Sequence, residues 1–337
     1  MNTGGCFLLF FGLFWSAITL GFDGFLGRTV YQRLHAESFA TTRGVVMHSE
    51  LIRSRGSKGG TNYRPKIHFA YAVLGREFNG EQFHYGDMSG NDPRWAERML
   101  KEFPLGKSVT VHYDAENPAD AVLLTGLEGS ELFLAIFLTP FNCVMLALWS
   151  VPLTALQRRL VRQVAGVPLT QRFGRTHACL ATVTPLVAAL ITLGGTAFAT
   201  IFIVGFTAGF NPSVRVASFA WVGIFSAAVV AFALRWQRLS TGRCDLVLDL
   251  AARTLTLPRA GGFRESAQVP YADVKSITVE RIAHQGQKGG TTYSHAPTLH
   301  LRDNRTERVA DWYDEKKATL FAAWLRAQLG LPAVTAG

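Results

Sequence analysis

Long uncharged runs alternate along this chain with polar stretches of strand-like periodicity. The uncharged runs occupy residues 1–22, 132–157, 179–214 and 216–234, and each reaches the roughly 17–25 residues that cross a bilayer as a helix. They predict membrane spans at 5–26, 132–153, 179–207 and 214–234. The third run, with 36 uncharged residues, would measure about 54 Å as a helix against a hydrocarbon core of about 30 Å. It must therefore stop early, kink or tilt. Gly209, Asn211 and Pro212 predict a turn before the fourth span, and Gly194-Gly195 a bend midway. Pro140 predicts a kink in the second span, because it removes a backbone donor.

The polar stretches follow a different period. In 36–126, Ile67, Phe69, Tyr71 and Val73 alternate with Lys66 and His68, and Val109, Val111 and Tyr113 repeat the pattern. A period of two describes a half-buried strand. Asp92 followed by Pro93 predicts a helix start, with Trp95, Met99, Leu100 and Phe103 on the face that covers the sheet. Residues 244–331 show strands at Leu246 to Leu250, Leu255 to Leu257, Val274 to Val279 and Leu299 to Leu301, closed by a helix at 314–329. The fold class that follows is a multi-pass α-helical membrane protein of four spans, with two β-rich polar domains, each a sandwich or barrel plus one helix.

Composition agrees with this reading: of 337 residues, 48% are hydrophobic and only 17% charged, with 24 Phe against 8 Tyr. A simple soluble enzyme is excluded. The net charge of +10 changes the picture once it is divided by region. Residues 27–131 hold 13 Lys+Arg and 13 Asp+Glu, so that domain is neutral. The excess sits in Arg158, Arg159, Arg162, Arg172 and Arg175, within a basic cytoplasmic loop at 155–178, and in Arg235, Arg238 and Arg243 after the fourth span. Arginines close to span ends mark the cytoplasmic face. Residues 27–131 are then expected to be extracytoplasmic, and the N-terminus and the domain at 244–331 cytoplasmic, in the cell (inner) membrane. Arg158, Arg159, Arg162, Arg172, Arg175, Arg235 and Arg238 are the candidate contacts to anionic lipid headgroups. The partners expected are the bilayer and an unidentified protein. Nucleic acid is not among them, since topology accounts for the arginines.

The first run lacks the basic n-region and cleavage pattern of a signal peptide, so it reads as an uncleaved anchor. Its Asp23 is the only acid in the four spans and reads as lying one turn from the end, within reach of the interface. Cys6, Cys143, Cys179 and Cys244 form no disulfide framework. Residues 56–63 and 286–293 echo one another around Lys-Gly-Gly-Thr. A phosphate loop would need a strand before and a helix after, whereas strands flank both, so each is read as a hairpin tip. The histidines His35, His48, His68, His84 and His112 show no metal-ligand spacing, and His177 with Cys179 makes only two ligands. No nucleophile elbow, HExxH or Walker pattern occurs. We expect no catalytic residue, metal or cofactor, and no enzymatic activity.

Gly44-Val45-Val46, Tyr63, Pro65, Ile67, Phe69, Tyr71, Val73, Gly75, Phe78, Gly80, Phe103-Pro104, Gly106, Val109, Val111, Tyr113-Asp114 and Asn117-Pro118 together resemble the bacterial domain-of-unknown-function family numbered 3592. Its members pair a small β-rich domain with flanking membrane helices. Ala115 stands where that pattern more often has proline. The resemblance implies no catalytic residue. Residues 244–331 resemble, by pattern alone, a bacterial pleckstrin-homology-type domain. The expected function is a scaffold, sensor or accessory subunit that links the two β domains. The alternatives are a lipid- or solute-handling transporter component with Asp23 and Pro140 near its path, and a membrane-bound hydrolase using outer-domain histidines.

Overall fold

In this computed structural model, residues 3–55, 61–86, 93–158, 162–181, 183–208, 212–258, 268–285 and 290–332 are described. They divide into two compact units, Met1–Leu146 with Leu190–Ala228, and Ala147–Ala189 with Val229–Gly337.

The first unit opens with helix α1 (Thr3–His35) and continues into β1 (Ala40–Arg55), β2 (Thr61–Val73), β3 (Arg76–Gly80), helix α2 (Pro93–Glu102), β4 (Ser108–Tyr113) and β5 (Ala121–Val122). The strands form one antiparallel sheet in the order β3-β2-β1-β4-β5. The alternation read from sequence is the burial pattern: Val46, Ile67, Phe69, Tyr71, Val109 and Val111 are buried on one face, against Trp95, Met99 and Leu100 of α2 and the buried Phe103. Asp92 lies outside the described residues. Trp95 is only partly buried, so it carries less of this core than the sequence pattern implies.

Two glycines of the resemblance are required by close approach. A side chain at Gly44 on the central strand would meet Val111 Cγ2 at 2.6 Å and the Ala70 carbonyl at 2.7 Å. At Gly80 the Phe69 ring occupies the space a side chain would need.

Helix α3 (Gly129–Arg158) follows, then α4 (Pro185–Ala208) and α5 (Val214–Ser240). With α1, these are four helices long and apolar enough to cross a membrane. Phe133, Ile136, Ala197, Ile201, Val204 and Ile224 form an inner core, while Phe198, Phe202, Phe206 and Phe219 stay exposed, as lipid-facing side chains would. α4 runs as one uninterrupted helix from Pro185 to Ala208, so the chain does not turn back at Gly194-Gly195. Gly194 instead brings α4 against Cys143 and Pro140 of α3, the close approach that small residues permit between membrane helices. α1 also differs from the expected 5–26, since it runs on past Leu26 to His35.

The second unit contains β6 (Gln163–Val164), β7 (Val167–Arg172), β8 (Arg175–Cys179), β9 (Asp245–Asp249), β10 (Thr254–Thr256), β11 (Gln268–Pro270), β12 (Val274–Gln285), β13 (Thr291–Leu301), β14 (Thr306–Arg308) and helix α6 (Glu315–Leu329). A six-stranded sheet has the order β11-β10-β9-β8-β7-β6 and a three-stranded one the order β12-β13-β14.

The expected basic loop at 155–178 is corrected here. After α3 it holds three strands, and β8 pairs antiparallel with β9 from Arg175↔Asp249 to Cys179↔Asp245. Val167, Leu169 and Ala178 enter the same core as Leu246, Leu248, Ile277, Leu299, Phe321 and Leu325. The β domain expected at 244–331 is thus completed by residues 163–179, and Cys179 belongs to a strand rather than to a span at 179–207. α6 has the predicted ends: the Asp314 carboxylate accepts from the Lys317 amide at 3.1 Å, and Gly330 closes the helix at φ 68°. Both echoed loops are flanked by paired strands, Arg55↔Thr61 and Gln285↔Thr291. Their tips, 56–60 and 286–289, lie outside the described residues.

Gly44→Ala should destabilise the first sheet by about 1–3 kcal/mol, the usual cost of overpacking. Faster amide exchange across β1, β2 and β4 in the detergent-solubilised chain would report it. Unchanged protection would mean that β1 can move aside.

Candidate functional site

Helix α1 buries its polar side chains and exposes its apolar ones. Ser16, Thr19, Thr29 and Arg33 are buried, whereas Phe7, Phe10, Phe14, Phe22 and Phe25 are exposed. Ser16, Thr19, Asp23, Val30 and Arg33 fall three, four or seven residues apart, the spacing of one helix face. That face meets α3. Trp15 Nε1 donates to the Phe141 carbonyl at 3.1 Å, Asn142 Nδ2 donates to Asp23 Oδ1 at 3.0 Å, and Arg33 pairs with Glu131 at 3.2 Å. From Asp23 to Arg33, ten residues up α1 correspond to eleven back along α3, as antiparallel helices require. Asp23 is therefore not one turn from the end of its helix: α1 continues twelve residues beyond it, about 18 Å at 1.5 Å per residue. A partner on α3 satisfies it within the bundle.

At the end of this seam Arg33 is 1% exposed. Its Nε donates to the Tyr85 carbonyl at 2.8 Å, and one terminal nitrogen lies 3.2 Å from His84 Nδ1 and another 3.5 Å from the Gly126 carbonyl. Glu131 at 3.2 Å and Glu128 at 3.7 Å supply the counter-charge. Glu131 also accepts the Glu128 amide at 2.9 Å, which ties it to the start of α3. The loop before α3 comes from the strand-turn motif. The Tyr71 hydroxyl donates to the Pro118 carbonyl at 2.6 Å, the Asp120 amide to the Asn117 carbonyl at 2.8 Å, and the Tyr85 hydroxyl to Asp120 Oδ1 at 2.6 Å.

Burial dominates the electrostatics. It pushes the Glu128 carboxyl up against the opposing pull of Arg33, and raises the Tyr85 phenol further beside Asp120. It also holds the His84 imidazole down to about 4, with help from the Arg33 charge. His84 Nε2 is buried without a hydrogen-bond partner. Whichever ring nitrogen carries the proton, one of the two is left unsatisfied. The arrangement holds the Arg33 guanidinium in place against two carboxylates. It presents no nucleophile.

The other sequence candidates are dispersed. Arg158 ends α3, and Arg159 lies outside the described residues. Arg162, Arg172, Arg175 and Arg238 are exposed, and Arg235 is half-buried. Arg172 and Arg175 flank the β7–β8 turn, about 13 Å by strand rise from the Cys179↔Asp245 end that adjoins α4 and α5, and Arg175 pairs with Asp249 at 2.7 Å. His177 pairs with Asp245 at 3.2 Å. Ser294, His284 and Asp311 approach one another, but His284 Nε2 faces both the serine hydroxyl at 2.7 Å and the carboxylate at 3.9 Å. A catalytic triad needs the two ring nitrogens to serve different partners. Among the described residues, no group of three or more His, Cys, Asp and Glu side chains is placed to hold a metal ion. Sequence reasoning gave no role to Arg33, Glu128 and Glu131 and weighed His84 only as a metal ligand or hydrolase residue; the available signal was the helical spacing of polar residues through Arg33.

The first unit is thus a β-sheet domain pinned to the ends of two long apolar helices by a buried ion cluster. Residues 42–128 match the family described as Domain of unknown function (DUF3592), which covers the sheet, α2 and the loop as far as Glu128. No curated protein and no solved structure matches the chain, so the pleckstrin-homology-type reading of 244–331 gains no support.

Arg33→Ala would strand Glu131 without its counter-charge, and should cost about 3–5 kcal/mol. The cluster also carries a pH dependence. The folded chain keeps His84 neutral down to about pH 4, whereas the unfolded imidazole protonates near 6.5. This contribution is fully present above about pH 6.5 and is lost as pH falls towards 4, on the order of 3 kcal/mol. Glu128 has the opposite sign, since its raised value favours the fold below the ordinary carboxylate range and the advantage declines as pH rises through it. Thermal unfolding at pH 7.5 and 4.5 should therefore show a smaller acid loss in His84→Gln than in wild type; parallel losses would mean that His84 is not the titrating group.

Proposed function

We propose that this is a non-enzymatic inner-membrane protein in which an extracytoplasmic β domain and a cytoplasmic β domain are linked through the helices, as a sensor, scaffold or accessory subunit. The observation that carries the reading is the Arg33 cluster. It joins the sheet domain, α1 and α3 through a buried charge, so that a load or ligand on the sheet is felt at the helix ends. A buried ion cluster with no nucleophile suits transmission better than turnover. The topology proposed is that read from the arginines, with residues 27–131 outside and the C-terminus inside. A second observation supports it: β8, which precedes α4, pairs with β9, which follows α5. The two strands must then share one side of any bilayer that α4 crosses, and α5 must cross back.

The transporter alternative draws on Asp23. Its hydrogen bond to Asn142 favours a packing role, because buried polar groups between membrane helices stabilise association when they are paired. Asp23→Asn keeps a polar partner for Asn142 and should leave the assembly and its function in the cell unchanged. A strong loss of function with intact folding would favour transport.

Two measurements test the linking role. Reporter fusions at Gly90 and Asn211 should read as extracytoplasmic, and fusions at Gly166 and Gly337 as cytoplasmic; a cytoplasmic signal at Gly90 would reverse the arrangement. Spin labels at Thr110 on β4 and Leu34 on α1 should give a narrow distance distribution that broadens in Arg33→Ala. A broad distribution in the wild-type chain would remove the rigid link.

A further inference from the structure

The second unit contains a cleft of about 320 Å³ whose walls include Leu180, Arg235, Cys244, Arg308, Asp311 and Trp312. Of its lining residues, Asp311 makes the long contact with His284 described above, and none belongs to the Arg33 cluster. Two of its walls are guanidinium groups. Arg235 is fixed by donation from Nε to the Val183 carbonyl at 2.9 Å, and its NH1 lies 3.9 Å from the Cys244 sulfur. Among the described residues no carboxylate lies within ion-pair distance of Arg235. A half-buried, immobilised guanidinium without a counter-charge is costly unless something brings one. Among the described residues, Arg308 is held by a long contact to Glu280 at 3.6 Å, with its side chain 61% exposed. The remaining charge in the cleft is the carboxylate of Asp311, which lies 3.9 Å from His284 Nε2.

Two cationic forks and one carboxylate are complementary to a ligand that carries a phosphate and an ammonium together. A planar carboxylate offers one edge to one fork, whereas a tetrahedral phosphate can accept from two guanidinium groups at once. Asp311 would repel a simple phosphate ester but attract an amine arm. The cleft volume is at the lower end of the range for small-molecule sites, which suits a headgroup-sized ligand. Its position supports the same class. Arg235 lies five residues before the end of α5, next to Trp236, which is 60% exposed and stacks on Phe232 at 6.1 Å. Aromatic side chains at a helix end mark the headgroup level of a bilayer.

We propose that this cleft binds a phosphoethanolamine-type group, with Arg235 and Arg308 taking the phosphate and Asp311 the ammonium. The group comes either from a phosphatidylethanolamine headgroup or from a soluble phosphate ester. The lipid source rests on the reading of α4 and α5 as spans; the soluble source does not, so failure of one is distinguishable from failure of the other.

The test uses the full chain in a maltoside detergent. O-phosphoethanolamine is titrated by calorimetry, and retention of phosphatidylethanolamine against diacylglycerol is read by native mass spectrometry. Binding of either probe is expected, with Arg235→Gln and Arg308→Gln each weakening it about tenfold or more, the scale of one charge-assisted fork. Retention of the lipid alone would assign the source to the bilayer, and binding of both would show that the headgroup suffices. Asp311→Asn should weaken phosphoethanolamine while leaving glycerol 3-phosphate equal or tighter. Arg302→Gln, an exposed arginine outside the cleft, should bind as wild type. The proposal is overturned if neither probe binds, if both arginine variants bind normally, or if Arg302→Gln weakens binding equally. It is overturned as well if Asp311→Asn affects the two esters alike.

Discussion

A guanidinium buried at the end of an apolar helix has to find its counter-charge within hydrogen-bond distance, and the first unit is organised around that requirement. Arg33 cannot reach water, so Glu131 and Glu128 have to be delivered to it by the start of α3, and the carbonyls of Tyr85 and Gly126 by the loops of the sheet domain. Each of these is held in turn. Tyr85 is anchored through Asp120, Asp120 through the turn at Asn117, and that turn through the bond from Tyr71 on β2 to Pro118. The path from sheet to helix is therefore a continuous series of hydrogen bonds and charge pairs. It also gives the family-like residues a physical role. Tyr71, Asn117 and Pro118 shape the loop that positions the partners of Arg33.

The parts of this architecture that were legible in the sequence are those set by one strong periodicity. Ile67, Phe69 and Tyr71 alternate because one face of the sheet is dry, and the same alternation returns at Val109 and Val111. The four apolar runs were visible because a bilayer solvent imposes a length. Their ends were not visible, because a charge reads as an end whether or not it is neutralised. The span read at 5–26 stops short of Arg28 and Arg33, yet α1 continues through both, and Arg33 meets Glu131 more than ninety residues away in sequence. Asp23 was displaced to the interface by the same reasoning. Long-range pairing of this kind leaves no local trace except spacing.

Strands β6 to β8 were hidden for a related reason. Five arginines dominate the composition of 155–178, and their excess masks the strand signal. Beneath it, Val167, Leu169 and Ala178 carry a short period-two signal that is complete only when β9 is supplied from beyond α5. A domain assembled from two separated segments cannot be delimited by scanning for a composition shift. The candidate lipid contacts inherit the same ambiguity. Arg172 and Arg175 serve a hairpin turn, and Arg175 is held by Asp249, whereas Arg235, near a helix end, has no acid within ion-pair distance among the described residues.

The distribution of buried polar groups argues for the kind of function the chain performs. Groups that do chemistry in membranes usually line a cavity and keep an open valence. In the first unit the reverse holds for the charges: Asp23 is met by Asn142, Glu131 by Arg33 and the Glu128 amide, and Tyr85 by Asp120. The unmet valence left in that network is one nitrogen of His84, enclosed beside a permanent cation and therefore kept neutral. Such an arrangement gains rigidity from every bond and gives up reactivity, which is what a mechanical or signalling junction requires. In the second unit, among the described residues, Arg235 has no carboxylate within ion-pair distance and Arg308 has the long contact to Glu280, and both line a cleft. The division is physical: the charges satisfied in the first unit hold its sheet to α1 and α3, and the less satisfied ones in the second are those the proposed ligand would meet.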